Sequence, residues 1–172
     1  MTLTPLHMKD GDQSNGAISL MLFSHILGMY ALSPFIGRLT DRLGRYPMLL
    51  VAGVLCAGGA AWAGTTPGEQ FLGLTGGQTL VGLAWSFGII ASSGLLTESF
   101  PVGQRASIQG AGDLCMAAFG ALAGISAGAI VAASSYRALD VGAAGLGIIL
   151  VMAVIATATS RPRPATAAPS FS

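Results

Sequence analysis

The sequence predicts an all-α, polytopic membrane protein, a helical bundle with five transmembrane helices. Of its 172 residues, 52% are hydrophobic and only 9% are charged, and the mean hydropathy is +0.69. Soluble domains average about 25% charged residues, so this chain cannot cover a water-facing surface in the usual way. The 25 glycines favour close helix packing in lipid. No segment shows the polar–apolar alternation of a membrane β-barrel strand.

Residues 1–15 are predicted to form the end of a preceding helix, followed by a polar extracytoplasmic loop. They lack the basic region and the apolar stretch of a signal peptide. A membrane chain that opens on part of a helix leads us to expect a missing upstream part.

Five apolar segments are long enough to span the hydrocarbon core, which takes about 20 residues. Together they occupy residues 16–159, and the Pro- and Ala-rich residues 160–172 are predicted to be a disordered cytoplasmic tail. The expected spans are approximately 16–36, 47–63, 72–96, 106–132 and 139–158.

The distribution of basic residues predicts the orientation of these spans. Cytoplasmic loops carry an excess of Lys and Arg. One side of the five-helix arrangement would carry Arg38, Arg42, Arg45, Arg105, Arg161 and Arg163, and the other side only Lys9 and Arg137. The chain is therefore expected to be a multi-pass integral protein of the plasma (inner) membrane, with its C-terminus in the cytoplasm.

Polar side chains within the spans are the candidates for substrate or proton handling. Polar groups in hydrocarbon are costly unless they face a protein interior or a wet cavity. The first, third and fourth spans carry such groups, among them His25, Gln78 and Asp113, and are expected to line a cavity. The second span and the apolar segment VGAAGLGIILVMAVIA of the fifth span carry no polar side chain beyond Cys56, and both spans are expected to face lipid.

The three candidates each have an alternative reading. Imidazole gains and loses a proton near neutral pH, so His25 suits proton coupling. The alternative is a neutral histidine that is hydrogen-bonded inside the bundle. Asp113 is an intramembrane carboxylate, but it follows Arg105 by about 12 Å of helix and could be structural at the cytoplasmic rim. Gln78 is assigned to substrate contact from helix polarity alone.

The remaining features indicate packing rather than chemistry. Gly120, Gly124 and Gly128 form a small-residue ridge that suits helix packing. The chain shows no nucleophile–base pair, no metal-ligand spacing and no phosphate-binding loop, so we expect no enzyme, no metal and no cofactor. A net charge of +1 argues against a nucleic-acid partner.

The segment GRLTDRLGR is densely charged within this apolar chain, and the segment ESFPVGQR follows further along. The first resembles the G-x-L-x-D-R-x-G-R signature of the major facilitator superfamily (MFS). The second resembles a pattern found after the tenth helix in many members. The residues that carry the resemblance are Gly37, Arg38, Leu39, Asp41, Arg42, Gly44 and Arg45, then Glu98, Pro101 and Arg105.

The resemblance implies a fold, a position in that fold and a role. The signature occupies the cytoplasmic loop after the second helix of a six-helix half, and the second motif implies the C-terminal half, helices eight to twelve. The N-terminal half is the alternative, because the halves are structural repeats. A bridge from Arg38 or Arg45 to Glu98 would act as a gate that latches one transport state. The alternative is a solvated loop that only sets topology.

The function expected from the resemblance is secondary active transport of a small molecule by alternating access, with proton coupling left open. The expected partners are the lipid bilayer, an unidentified substrate, and the missing N-terminal half or another polypeptide that supplies it. The alternative is a non-transporting membrane scaffold or interaction protein, or a truncated inactive gene product.

Overall fold

The structure, a computed structural model, describes residues 3–159. Helices and short connections account for all of this range. The helices are α1 (Thr4–Asp10), α2 (Asn15–Tyr30), α3 (Ser33–Leu43), α4 (Arg45–Thr65), α5 (Phe71–Glu98), α6 (Arg105–Ala133) and α7 (Tyr136–Thr159), with a 3₁₀ turn at Val102–Gln104 before α6.

Within residues 3–159, five helical segments are long and apolar enough to cross a membrane. This confirms the predicted all-α membrane bundle. The first segment, Asn15–Leu43, combines α2 and α3, which are separated by a short break at residues 31–32. The predicted tail, 160–172, lies outside the described residues.

The charged signature segment is helical, which corrects the prediction of a loop from Gly37 to Arg45. Residues from Gly37 to Leu43 belong to α3, and α4 begins at Arg45. Ile36 and Thr40 are buried one turn apart on one face of α3, and Arg38 and Arg42 are exposed. This apolar face with helical period lets the helix continue past the hydrophobic span.

Glycines set the close approach of the long helices. On α4, a Cβ at Gly59 would lie 2.8 Å from the backbone oxygen of Gly77 on α5. A Cβ at Gly147 on α7 would lie 2.8 Å from the backbone nitrogen of Ala57 on α4. Small residues thus let α4 pack between α5 and α7.

The packing differs from the polarity-based assignment of lining and outer helices. Although α4 was expected to face lipid, its small residues pack against two neighbours, and only part of its surface, including Val54 and Trp62, is exposed. In contrast, α6 contains no buried residue. Burial within residues 3–159 therefore does not follow the polarity of the spans: α4 is buried because its small residues allow close contact with α5 and α7.

The short helix α1 lies against the end of the bundle where α5 begins. Met8 on α1 is fully buried, together with Met21 of α2 and Leu74 of α5. Gln13, just after α1, donates from Nε2 to the backbone oxygen of Glu69 at 2.6 Å. These contacts fix α1 on the side of the bundle away from Arg45.

Candidate functional site

A charged cluster, which we call the Arg45 cluster, joins three helices at one end of the bundle. It consists of Asp41 in the last turn of α3, Arg45 at the start of α4 and Glu98 at the end of α5. The guanidinium of Arg45 donates from Nη1 to Asp41 Oδ1 at 2.8 Å and from Nη2 to Glu98 Oε1 at 2.6 Å. Its Nε donates to the same Glu98 oxygen at 3.2 Å. One arginine therefore ties together the ends of α3, α4 and α5.

Gly44 positions Arg45 within this cluster. It is the one residue between α3 and α4, with φ of +92°. L side chains rarely adopt that backbone conformation, so glycine suits the position. Its N–H donates to the backbone oxygen of Thr40 at 2.9 Å and closes α3. The abrupt change of direction brings Arg45 back beside Asp41.

Helix dipoles make the members of the cluster dependent on one another. A cation at a helix N-terminus and an anion at a helix C-terminus are both unfavourable. Arg45 and Glu98 occupy those positions on α4 and α5. Each charge is compensated by the other, and Asp41 adds a second anion near the N-terminus of α4. Separating α4 from α5 here would leave both charges at unfavourable helix ends.

The cluster borders a polar cavity of about 520 Å³. Thr40, Tyr46 and Leu95 line it together with the charged side chains. Arg45 is 21% exposed, whereas Asp41 and Glu98 are 69% and 58% exposed. Solvent can therefore reach the ion pairs.

A second cavity, of about 640 Å³, is mainly apolar and lies among α2, α4, α5, α6 and α7. His25, Met29, Trp85 and Met116 contribute to its lining. Its polar groups are few, which is typical of sites for small organic molecules. His25 is fixed there because its Nδ1 donates to the backbone oxygen of Gln78 at 2.7 Å.

Comparison with known proteins decides the family. The family model described as Major Facilitator Superfamily matches residues 1–172. This chain belongs to the Major Facilitator Superfamily. The predicted resemblance is confirmed, and the chain is an integral membrane protein of a family whose members are in general transporters rather than enzymes.

Two relatives come from Bacillus subtilis strain 168 and are named uncharacterized MFS-type transporters YdeG and YddS. They are 37% and 33% identical to this MFS chain over 155 residues, 90% of this chain and 36% of each relative. The riboflavin transporter RfnT of Brucella anthropi is 29% identical over 142 residues, 81% of this chain and 35% of the relative. The chain thus spans about a third of the length of these relatives. No solved structure gave a significant match.

The other residues of the MFS signature lie near the Arg45 cluster without joining its ion pairs. Arg38 and Arg42 are exposed on α3, and within residues 3–159 neither makes an ion pair. Gly37 lies inside α3, where an added Cβ would meet nothing within 4 Å. Arg105 donates from Nε to the backbone oxygen of Phe100 at 3.2 Å and thereby stabilises the turn before α6. Of the two arginines expected to reach Glu98, Arg45 does so.

The three intramembrane candidates do not come together in one site. His25 lines the apolar cavity, but the Gln78 side chain points elsewhere and donates from Nε2 to Thr4 Oγ1 at 2.8 Å. Asp113 is exposed on α6 and accepts from Gln109 Nε2 at 3.1 Å. The roles assigned to these residues stay predictions.

The glycine ridge of α6 has no partner among the described residues. A Cβ at Gly120, Gly124 or Gly128 would meet nothing within 4 Å. The ridge therefore packs against no other helix within residues 3–159. Its use in helix packing stays a prediction.

Sequence reasoning missed a group of polar side chains at the end of the bundle near α1. Thr4, Tyr136 and Asp140 are all buried there. Tyr136 lies before the predicted fifth span, 139–158, and Asp140 lies near its start, whereas α7 begins at Tyr136. Their spacing of one helical turn was the signal available.

Among residues 3–159, no group of three or more His, Cys, Asp or Glu side chains could hold a metal ion.

Proposed function

We propose that this MFS chain is part of a secondary active transporter that moves a small molecule by alternating access, and that the Arg45 cluster is its gate. The observation that carries the proposal is the double ion pair of Arg45 with Asp41 and Glu98 at 2.8 and 2.6 Å. Alternating access moves helix bundles against one another around a central site. A contact that joins the ends of three helices is placed to hold one state and to release another.

The exposed face of α6 supports the proposal that a further half completes the transporter. The chain spans about a third of its relatives' length, and α6 has no buried residue. Large apolar side chains, including Leu114, Phe119 and Ile125, are 71 to 73% exposed on it. We assign the chain to helices eight to twelve of a twelve-helix protein, and the face of α6 to contact with the missing N-terminal half.

The proposed orientation follows the basic residues. The Arg45 cluster and the C-terminus lie on the cytoplasmic side of the plasma (inner) membrane, because the positive charges concentrate at that end. The reaction is transport and no enzymatic step is assigned. Protons are the proposed coupling ion, with His25 as the candidate group beside the apolar cavity.

The apolar cavity supports a substrate with a large apolar surface. Trp85 offers a ring face, and His25 and Ser92 offer polar contacts. Riboflavin, named for the relative RfnT, is the first substrate to test.

The test of the transporter proposal begins with the nucleotide sequence upstream of the Met1 codon. We expect an in-frame extension with about seven further hydrophobic segments, enough to complete twelve spans. A stop codon followed by a separate start site would favour the non-transporting scaffold. In proteoliposomes, we expect the isolated chain to give no flux and the protein completed by its other half to give flux.

The test of the gate uses substitutions in the completed protein. Arg45→Met and Glu98→Gln should each lower flux by about tenfold while leaving the amount of protein in the membrane unchanged. The charge exchange Arg45→Glu with Glu98→Arg should restore part of that flux, because the pair is rebuilt. Arg38→Met is the matched control, since Arg38 makes no ion pair within residues 3–159. Equal losses of flux in Arg38→Met and Arg45→Met would contradict the gate proposal and would mean that the cluster only sets the membrane topology.

A further inference from the structure

A second polar cluster lies at the end of the bundle opposite to Arg45, and we call it the distal cluster. It comprises Thr4 and His7 of α1, Gln78 of α5, and Tyr136 and Asp140 of α7. Gln78 precedes Glu98 by 20 residues of the same helix, which places the two clusters about 30 Å apart. None of these side chains belongs to the proposed gate.

A directed set of hydrogen bonds runs through the distal cluster. Gln78 Nε2 donates to Thr4 Oγ1 at 2.8 Å, and Thr4 Oγ1 lies 3.0 Å from the hydroxyl of Tyr136. Because Thr4 already accepts from Gln78, its own proton can go to the Tyr136 oxygen. That leaves the Tyr136 proton for the carboxyl of Asp140, with which Tyr136 interacts one turn along α7.

The helix α1 covers this arrangement. The ring of His7 stacks on the ring of Tyr136, with 4.1 Å between centroids and 9° between planes. His7 Nε2 lies 3.3 Å from the backbone oxygen of Thr66, to which it can donate. Thr4 and Met8 on the same helix are buried at 2% and 0% exposure. Docking of α1 therefore buries the Tyr136 side of the cluster.

Gln78 and Asp140 each have a buried side-chain oxygen without a hydrogen-bond partner, and of the two only Asp140 is ionisable. It is 8% exposed, and its Oδ2 is buried without a hydrogen-bond partner. The neighbouring helix α4 presents Gly64, where an added Cβ would lie 3.4 Å from that oxygen. An ionised carboxylate with a buried, unpartnered oxygen costs several kcal/mol, whereas a neutral carboxyl costs much less.

The hydrogen bond from Tyr136 and the charges of His7 and of the N-terminal amino group favour an ionised Asp140, but burial of the carboxyl disfavours that form more strongly. His7 from α1 and Tyr136 from α7 face it, α5 contributes the amide of Gln78, and α4 contributes Gly64. Arg137, one turn before Asp140, is exposed. Within residues 3–159, neither Arg137 nor His7 forms an ion pair with Asp140.

We propose that the carboxyl of Asp140 is a proton-binding site, and that its protonated form holds α1 against the bundle. Release of α1 opens the cluster to water, where an ionised carboxylate is solvated. Docking of α1 therefore takes up one proton. Low pH favours the docked state and high pH favours the released state, by at most about tenfold in the docking equilibrium per pH unit. The proposal concerns the state of α1 and does not depend on the proposed transport function.

The experiment measures the exposure of α1 as a function of pH in the full chain, held in lipid nanodiscs. Cys56→Ala and Cys115→Ala remove the natural thiols, and Met8→Cys places a thiol at a fully buried position of α1. Leu6→Cys, at a position that is 51% exposed on the same helix, is the matched control for the effect of pH on thiol chemistry. The readout is the maleimide labelling rate of Met8→Cys divided by that of Leu6→Cys.

We expect this ratio to rise by about tenfold as the pH increases from about 5 to about 9, the range in which buried carboxyls can titrate. Asp140→Asn, which mimics the protonated group, should keep the ratio low at every pH. Asp140→Ser, a smaller neutral residue, provides the same test if the Asn variant is not monodisperse. His7→Gln should retain the pH dependence, because the carboxyl of Asp140 is unchanged in that variant.

Three results would overturn the proposal. The first is a ratio that does not change with pH in the unsubstituted background. The second is a pH dependence that survives in both Asp140 variants or disappears in His7→Gln, which would assign it to the histidine. The third is a ratio that responds to Na⁺ at constant pH, which would make the carboxyl a metal-cation ligand.

Discussion

At Gly44 the chain passes from α3 to α4 within a single residue. The positive φ of +92° at this residue turns Arg45 back toward Asp41. The contact that we propose as a gate therefore depends on one backbone conformation, in addition to three charges.

Two glycine substitutions separate the effect of the positive φ at Gly44 from the general effect of replacing a glycine. Gly44→Ala should lower the free energy of unfolding by about 1 kcal/mol or more, because alanine is strained at this φ. Gly37→Ala should be neutral or stabilising by up to about 1 kcal/mol, since Gly37 is helical and its Cβ would meet open space. Unfolding in mixed detergent measures both. A Gly44→Ala chain as stable as the unsubstituted one would contradict this prediction.

The ion pairs of Arg45 are expected to matter for switching more than for stability. Its two partners are 69% and 58% exposed, and exposed ion pairs contribute about 0 to 1 kcal/mol. Such a contact can be broken during a transport cycle at little cost. The helix-end positions of Arg45 and Glu98 add specificity, because each charge is unfavourable on its own helix.

At the scale of elements, α2 and α5 form an interface of glycines and hydroxyl groups. Gly82 of α5 lies against the backbone oxygen of His25, and a Cβ at Gly28 of α2 would lie 2.9 Å from the backbone oxygen of Thr79. Thr79 Oγ1 of α5 donates to Ser24 Oγ of α2 at 3.1 Å at the same interface. Close backbone approach thus allows the polar groups of α2 and α5 to satisfy one another.

Gly82→Ala should destabilise this interface by about 1 to 3 kcal/mol, because its methyl group would overlap backbone atoms of α2 that cannot move independently. Gly88→Ala on the same helix is the control, since its Cβ would make an ordinary contact at 3.7 Å with the Ala52 side chain. Denaturant titration of both variants gives the comparison. Equal stability of the two would mean that α2 can shift away from α5 without cost.

The end of α3 differs from the end of the first span predicted from composition. The first span was expected to end at residue 36, where charged residues begin. The helix instead continues to Leu43, because an amphipathic pattern with a buried Ile36 and Thr40 supports a helix outside hydrocarbon as well as inside it. The charged residues predicted the end of the apolar span, and they did not predict the end of the helix.

At the scale of the whole molecule, α6 has no buried residue, and its apolar side chains are uncovered within residues 3–159. The ridge of Gly120, Gly124 and Gly128 lies on this helix, and no atom of the described chain approaches it. Alternating access requires a second half, and the uncovered helix is the surface that we assign to it.

Gly124→Leu should therefore leave the unfolding free energy of the chain within about 1 kcal/mol of its original value, because the added side chain meets no other group. It should also lower co-purification with the missing half by several-fold, because close approach at the ridge is blocked. Gly59→Leu is the contrasting variant and should unfold the chain itself, since a Cβ there would lie 2.8 Å from the backbone oxygen of Gly77. Unchanged assembly of Gly124→Leu would place the second half elsewhere.

The sequence alone was sufficient to predict the membrane class, the number of segments long enough to span a membrane, and the family. Hydrophobic length reports whether a segment can span lipid, and the spacing of Gly37, Asp41, Arg42, Gly44 and Arg45 is a local pattern that needs no fold to be recognised. Both properties lie in contiguous stretches of chain. For that reason they can be read without knowledge of the packing.

Only the tertiary structure decided which charges meet and which polar groups are buried together. Three arginines in the signature have similar chemistry, and the turn at Gly44 selects Arg45 for Glu98, 53 residues away. Asp140 lies near the start of the predicted fifth span, and its burial beside α1 and Gly64 depends on contacts between distant segments. Contacts between distant segments depend on the directions of the helices and on the distances between their backbones. The residue types of one segment determine neither the directions nor the distances.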